Sequence, residues 1–214
     1  MTRSILRAAT LAATLVAGLS AVSSASATNW QSNASAGGSA FSASYGSEIV
    51  VKSALSNGFG YNCNTGSLAG TLAGPTGPVN TGPWNNAETF TPSFVRCSIA
   101  GITVAISGAS GHFDASSYSG GVTRGNFRAT WTATFATCPF TVVIDAPATS
   151  DGTNLTLGVT QSGTISWPAT PASCPNVTGT SGAGSSNVRL VGYDGTNFIS
   201  LPYAYGSFRP SIFY

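Results

Sequence analysis

From Phe127 to Phe135 the chain alternates without a break. Phe127, Ala129, Trp131, Ala133 and Phe135 are apolar, and Arg128, Thr130, Thr132 and Thr134 fall between them. Successive side chains of a strand point to opposite faces, so this run specifies a half-buried antiparallel strand with its aromatics inward. A helix cannot satisfy it, because a 3.6-residue period would scatter those rings around the whole cylinder.

Other segments read the same way. Strands are expected at Ala40–Tyr45, Glu48–Ala54, Phe59–Cys63, Thr89–Arg96 and Ile99–Ile106, in the apolar run Phe140–Ile144, and where Leu155, Leu157 and Val159 alternate. Asp151-Gly152-Thr153-Asn154 and Asp194-Gly195-Thr196-Asn197 repeat one tetrapeptide. Asp-Gly tolerates the positive φ of a hairpin turn. A calcium site would need roughly six to eight oxygens, and each tetrapeptide brings one carboxylate. Gly74–Trp84, with Pro75, Pro78 and Pro83, reads as a loop, and the Ser/Ala/Gly-rich stretch Thr28–Ser44 as a flexible start. Ser and Thr make about a quarter of the chain, and no segment shows helical spacing. About ten short strands at close intervals indicate an all-β fold, an antiparallel β-sandwich or barrel-like sandwich.

Only 7% of residues are charged, against about 25% in ordinary domains. Arg3 and Arg7 precede an uncharged stretch over 8–22, and Ala25-Ser26-Ala27 before Thr28 fits a signal-peptide cleavage site. We therefore expect a signal peptide over 1–27 and a single secreted β domain over 28–214. The leader is shorter than a spanning helix and diluted by Ala and Thr, which favours cleavage over an uncleaved anchor, and no later window offers the roughly 18 apolar residues in a row of a spanning helix. Without it, Lys52, Arg96, Arg124, Arg128, Arg189 and Arg209 balance Glu48, Glu88, Asp114, Asp145, Asp151 and Asp194. A formally neutral surface gives no basic face for nucleic acid.

Cys63, Cys97, Cys138 and Cys174 are separated by 34, 41 and 36 residues. An even count in an exported chain reads as two disulfides with three possible pairings; neighbours in sequence, Cys63 with Cys97 and Cys138 with Cys174, are favoured. Zinc would want closely spaced ligand pairs, and the chain has a single His. No metal or cofactor is expected.

Several short motifs recur in company. They are Cys63-Asn64-Thr65-Gly66-Ser67-Leu68, Phe94-Val95-Arg96-Cys97, Ser117-Tyr118, and Gly121-Val122-Thr123-Arg124-Gly125 ahead of Cys138. Over roughly Glu48 to Cys174 the chain resembles a group of small, uncharacterised secreted four-cysteine β proteins common in actinobacteria. It departs from them in its aromatic C-terminal tail. The resemblance implies secretion, disulfides and β structure; it implies no activity, because the group offers none to carry over.

Catalysis by an imidazole would have to use His112, in Ser110-Gly111-His112-Phe113-Asp114, which reads as lying near a loop. There is no G-x-S-x-G elbow, phosphate-binding loop, dinucleotide fingerprint or H-E-x-x-H motif. Among carboxylates, Glu48 and Glu88 stand near strand starts and are the best pair for hydrolysis; Asp114 reads as a Gly-rich loop residue. Sequons at Asn33, Asn154 and Asn176 are no more than chance supplies in so Ser/Thr-rich a chain.

Binding is the better-supplied function class. Trp84, in a Pro/Gly/Asn loop, is the leading candidate for an exposed ring platform, followed by Trp167, Tyr203 and Tyr205. Because Trp is buried on average, a core anchor competes with each Trp platform. The nearly uncharged tail, Pro202–Tyr214, reads as an edge segment packed on the domain, a self-associating strip, or the last strand of an outer-membrane barrel. Together these features predict an exported, non-enzymatic surface or cell-envelope protein binding glycan, cell-wall material or another protein. The alternative is a secreted hydrolase using His112 or a carboxylate pair.

Overall fold

The computed structural model describes residues 30–45, 49–53, 60–74, 83–158, 160–167, 184–192, 199–203 and 210–213. The leader, Glu48, Cys174, the Asp194–Asn197 turn and Tyr205 lie outside the described residues.

Fifteen strands form among the described residues. The first seven are β1 (Gln31–Ser32), β2 (Ser39–Tyr45), β3 (Ile49–Ser53), β4 (Gly60–Cys63), β5 (Thr65–Leu72), β6 (Trp84–Val95) and β7 (Ser98–Ile99). Then come β8 (Ile102–Ser119), β9 (Val122–Phe135) and β10 (Cys138–Ser150). The last five are β11 (Asn154–Leu157), β12 (Gly163–Trp167), β13 (Gly184–Gly192), β14 (Ile199–Pro202) and β15 (Ile212–Phe213). All pairings between them are antiparallel.

The expectation of uniformly short strands is corrected: β8, β9 and β10 run 18, 14 and 13 residues. Two-residue turns hold them in register. Gly120 and Gly121, at φ +60° and +79°, join β8 to β9, the left-handed backbone that matches strand twist and that glycine adopts without strain. Ala136 and Thr137 join β9 to β10.

Each outer edge of this ribbon is shared by two partners. Along β10, Thr141–Val143 pair with β12 and Ala148–Ser150 with β11. Along β8, Ile102–Thr103 pair with β7 and Gly111–Phe113 and Ala115 with β6. Two circuits therefore return to the ribbon. One runs through β12, β13, β3, β4 and β7; the other runs through β11, β14, β2, β5 and β6. Each has one thin seam. β4 meets β7 through the single pair Asn62↔Ser98, flanked by the Cys63–Cys97 disulfide. β2 reaches the β14 side through the lone bridge Ala43↔Tyr203. Cys138 is disulfide-bonded as well, and its expected partner Cys174 lies outside the described residues.

Inward residues of both circuits make one core. Phe127, Ala129, Trp131 and Ala133 are buried, as the alternation requires. Trp131 donates its indole N–H to the Tyr61 hydroxyl and packs on Phe94 at 4.8 Å. Phe90 stacks on Phe127 at 5.0 Å. The Asp151 turn forms as expected: its Oδ1 accepts from the backbone N–H groups of Thr153 and Asn154, each at 2.7 Å.

Two loop readings are corrected. Trp30 is buried and the Ser32 hydroxyl donates to the carbonyls of Ala73 and Gly74, so the start of the described chain is pinned to the core. β6 already begins at Trp84. Of the tail, Ile212 and Phe213 pair with β1, and the Thr123 hydroxyl donates to the Ile212 carbonyl. Among the described residues no helix is long and apolar enough to cross a membrane.

Candidate functional site

His112 and Asp114 lie in the middle of β8, not near a loop. Phe113 and Ala115 face the core, so strand alternation turns His112 and Asp114 outward. The same parity turns Asn126 and Arg128 on β9 and Asp145 on β10 outward, Arg128 exposed and the other two half-buried. Register then lines them up. His112, Arg128 and Asp145 form one cross-strand row, and Asp114, Asn126 and Pro147 form the next.

The five side chains make two contact groups, His112 with Asp114 and Asp145 with both Arg128 and Asn126. His112 Nε2 is 3.5 Å from Asp114 Oδ2, and Arg128 Nη2 is 3.3 Å from Asp145 Oδ2. Asn126 Nδ2 donates to Asp145 Oδ1 at 2.5 Å, and the backbone N–H of Asn86 donates to Asp114 Oδ1 at 2.6 Å. Ion pairs that solvent reaches in this way add little stability. What they provide is orientation, fixing planar donors and acceptors on an open face.

A nucleophilic triad is not assembled here. Ser110 shares the His112 face of β8, but two residues along a strand span about 6.8 Å, and no hydrogen bond joins the two side chains. Glu88 faces the other way: it is fully buried, while its β6 neighbour Thr89 pairs with His112. The structure thus separates Glu88 from His112 by the thickness of the sheet, and Glu48 lies outside the described residues. No group of three or more metal-ligating side chains occurs among the described residues.

Glu88 is the most unusual group in the core. A register irregularity between Trp84 and Glu88, with Asn86 at φ +54°, turns both Ala87 and Glu88 inward. Its Oε1 accepts from the Tyr203 hydroxyl at 3.3 Å, and that hydroxyl lies 3.1 Å from Ser150 Oγ. Oε2 is buried with no hydrogen-bond partner among the described residues. Burial pushes the carboxyl up to about 8, the Tyr203 hydrogen bond opposing only in part. Glu88 is therefore a neutral acid at pH 7. Burial, and then the neighbouring Glu88 charge, raise the Tyr203 phenol well above its usual range.

The expected aromatic platforms are placed inside. Trp84, Trp167 and Tyr203 are 5%, 6% and 5% exposed. Trp84 pairs with the buried Ala115 across β8, and Tyr203 meets Phe41 edge-on at 5.8 Å. Their rings fill the core and offer no face to a surface ligand; Tyr205 lies outside the described residues. An internal apolar cavity of about 20 Å³ beside Trp131 has room for about one water, and so for no larger ligand.

Arg128, Asn126, Asp114 and Asp145 were not singled out by sequence reasoning. The outward parity of Arg128 was visible in the alternation, but the row exists only once three strands are in register. No family model, curated protein or solved structure matches the chain.

Proposed function

We propose that this is an exported, non-enzymatic protein that binds hydroxyl-rich polymer, glycan or cell-wall material, through the outer face of β8–β9–β10. The observation that carries the reading is the convergence of His112, Asp114, Asn126, Arg128 and Asp145 on two adjacent rows of an open sheet. In a chain that is 7% charged, such a concentration of planar donors and acceptors is costly to arrange and suits sugar hydroxyls and amides. The test is co-sedimentation with insoluble cell-wall polysaccharide. The Asn126→Ala/Arg128→Ala double variant should lose about tenfold or more in affinity, as expected for two oriented polar contacts. Equal retention of wild type and variant would refute the reading. The hydrolase alternative draws on the His112–Asp114 contact and requires turnover that His112→Ala abolishes.

A further inference from the structure

Beside the polar rows, toward the β8–β9 turn, the same face is hollowed into a groove of about 240 Å³. Its floor is mainly apolar. Pro147 lies along it with the backbone of Gly125 and Ala148, and Gly158 keeps it open. A Cβ on Gly158 would fall 3.1 Å from the Pro147 carbonyl oxygen and 3.2 Å from the Pro147 ring. The backbone itself is therefore the surface here.

Its rim is polar. Arg124 pairs across the sheet with Thr149, and Thr149 with Thr156, so guanidinium and hydroxyls follow one another over three strands. Ser116 closes the near side, its hydroxyl donating to the Arg124 carbonyl at 3.0 Å. Arg124 Nη1 donates to Ser119 Oγ at 2.7 Å, which steadies the side chain. A guanidinium has five N–H donors, and no carboxylate lies within ion-pair distance of this one among the described residues. Arg128, four positions along β9, is by contrast already paired with Asp145.

On the footing of the glycan reading above, we propose that this groove takes one carboxylate-bearing sugar ring of a polysaccharide. A volume of 240 Å³ is below the roughly 300–1,000 Å³ of drug-sized pockets and on the scale of a single ring. The apolar floor receives the C–H face of the sugar, and the Thr149 side of the rim meets its hydroxyls. Arg124 receives the carboxylate, a geometry in which the planar fork can engage both oxygens. Arg124, Asn126 and Arg128 recur on β9 at steps of about 6.8 Å, so the next sugar of the polymer passes over Asn126 and Asp145.

Titration calorimetry at low ionic strength with trigalacturonate and with its neutral counterpart, trigalactose, tests the assignment. Wild type should bind the uronate about tenfold more tightly. Arg124→Ala, an exposed change expected to leave the thermal midpoint unaltered, should erase that preference while sparing the neutral sugar. Arg124→Lys should keep part of it. Equal binding of the two sugars by wild type, or a preference that survives Arg124→Ala, overturns the groove assignment. If neither sugar binds while polysaccharide co-sedimentation still depends on Asn126 and Arg128, the groove fails and the glycan face stands. Loss of that dependence as well removes both.

Discussion

A carboxyl group enclosed beside Leu72 and Phe113, one oxygen without a partner among the described residues, ties the stability of the fold to proton activity. The Glu88 pKa is raised from 4.5 to about 8 on folding. Below pH 4.5 both folded and unfolded chains hold the proton, and the group adds no pH dependence. Between 4.5 and 8 only the folded chain holds it, so unfolding releases a proton and stability falls by about 1.4 kcal/mol per pH unit. Above 8 the loss is complete, on the order of 5 kcal/mol in all. Urea midpoints should accordingly decline from pH 5 to pH 9 in wild type and stay nearly level in Glu88→Gln. A wild-type profile as level as that of the variant would show that the carboxyl escapes the core. Trp131 illustrates the ordinary case: its ring is buried and bonded to Tyr61. Trp131→Ala should cost about 3–5 kcal/mol at any pH, read as a lowered denaturation midpoint.

At the level of elements, two glycines four residues apart are held for different reasons. Gly121 sits at φ +79° with open space around its Cα, so Gly121→Ala should cost only the backbone strain, about 1–2 kcal/mol. Gly125 is in the β8–β9 ladder, where an added Cβ would strike the Asp114 carbonyl. Gly125→Ala must part the two strands and should lower the thermal midpoint by a larger amount; an equal or smaller loss would contradict the close approach. The strands themselves were largely legible, because Phe127 to Phe135 and the Asp151 turn declare period and punctuation locally. Strand length was not: the residues flanking His112 look like loop, since Gly108 and Gly111 dilute the pattern that β8 carries through them. Neither was the site legible, for cross-strand rows depend on which residue faces which. Trp84 misled for a related reason. Its Pro/Gly/Asn surroundings are those of a loop, yet the irregularity that follows it in β6 is what turns Glu88 inward.

For the whole molecule, the two seams are closed by different chemistry. The β4–β7 seam has one residue pair and a disulfide that spans 34 residues. Chain-entropy arguments give such a loop about 4 kcal/mol, so Cys63→Ser/Cys97→Ser should lose a comparable amount, measured by urea unfolding at fixed pH. The β2–β14 seam has one bridge and the hydrogen bonds of Tyr203 to Glu88 and Ser150. The ribbon that both circuits share also dictates an order of events. Its three strands are joined by two-residue turns, whose contacts close short loops within microseconds. Ala43 and Tyr203 are 160 residues apart, and contacts so distant are made late. Interactions absent from the transition state govern how fast a native protein opens. Tyr203→Phe should therefore quicken unfolding in stopped-flow experiments while leaving the refolding rate nearly unchanged, and Gly121→Ala should slow refolding. The far seam is then the part of the fold that sets how long the native state lasts before it opens.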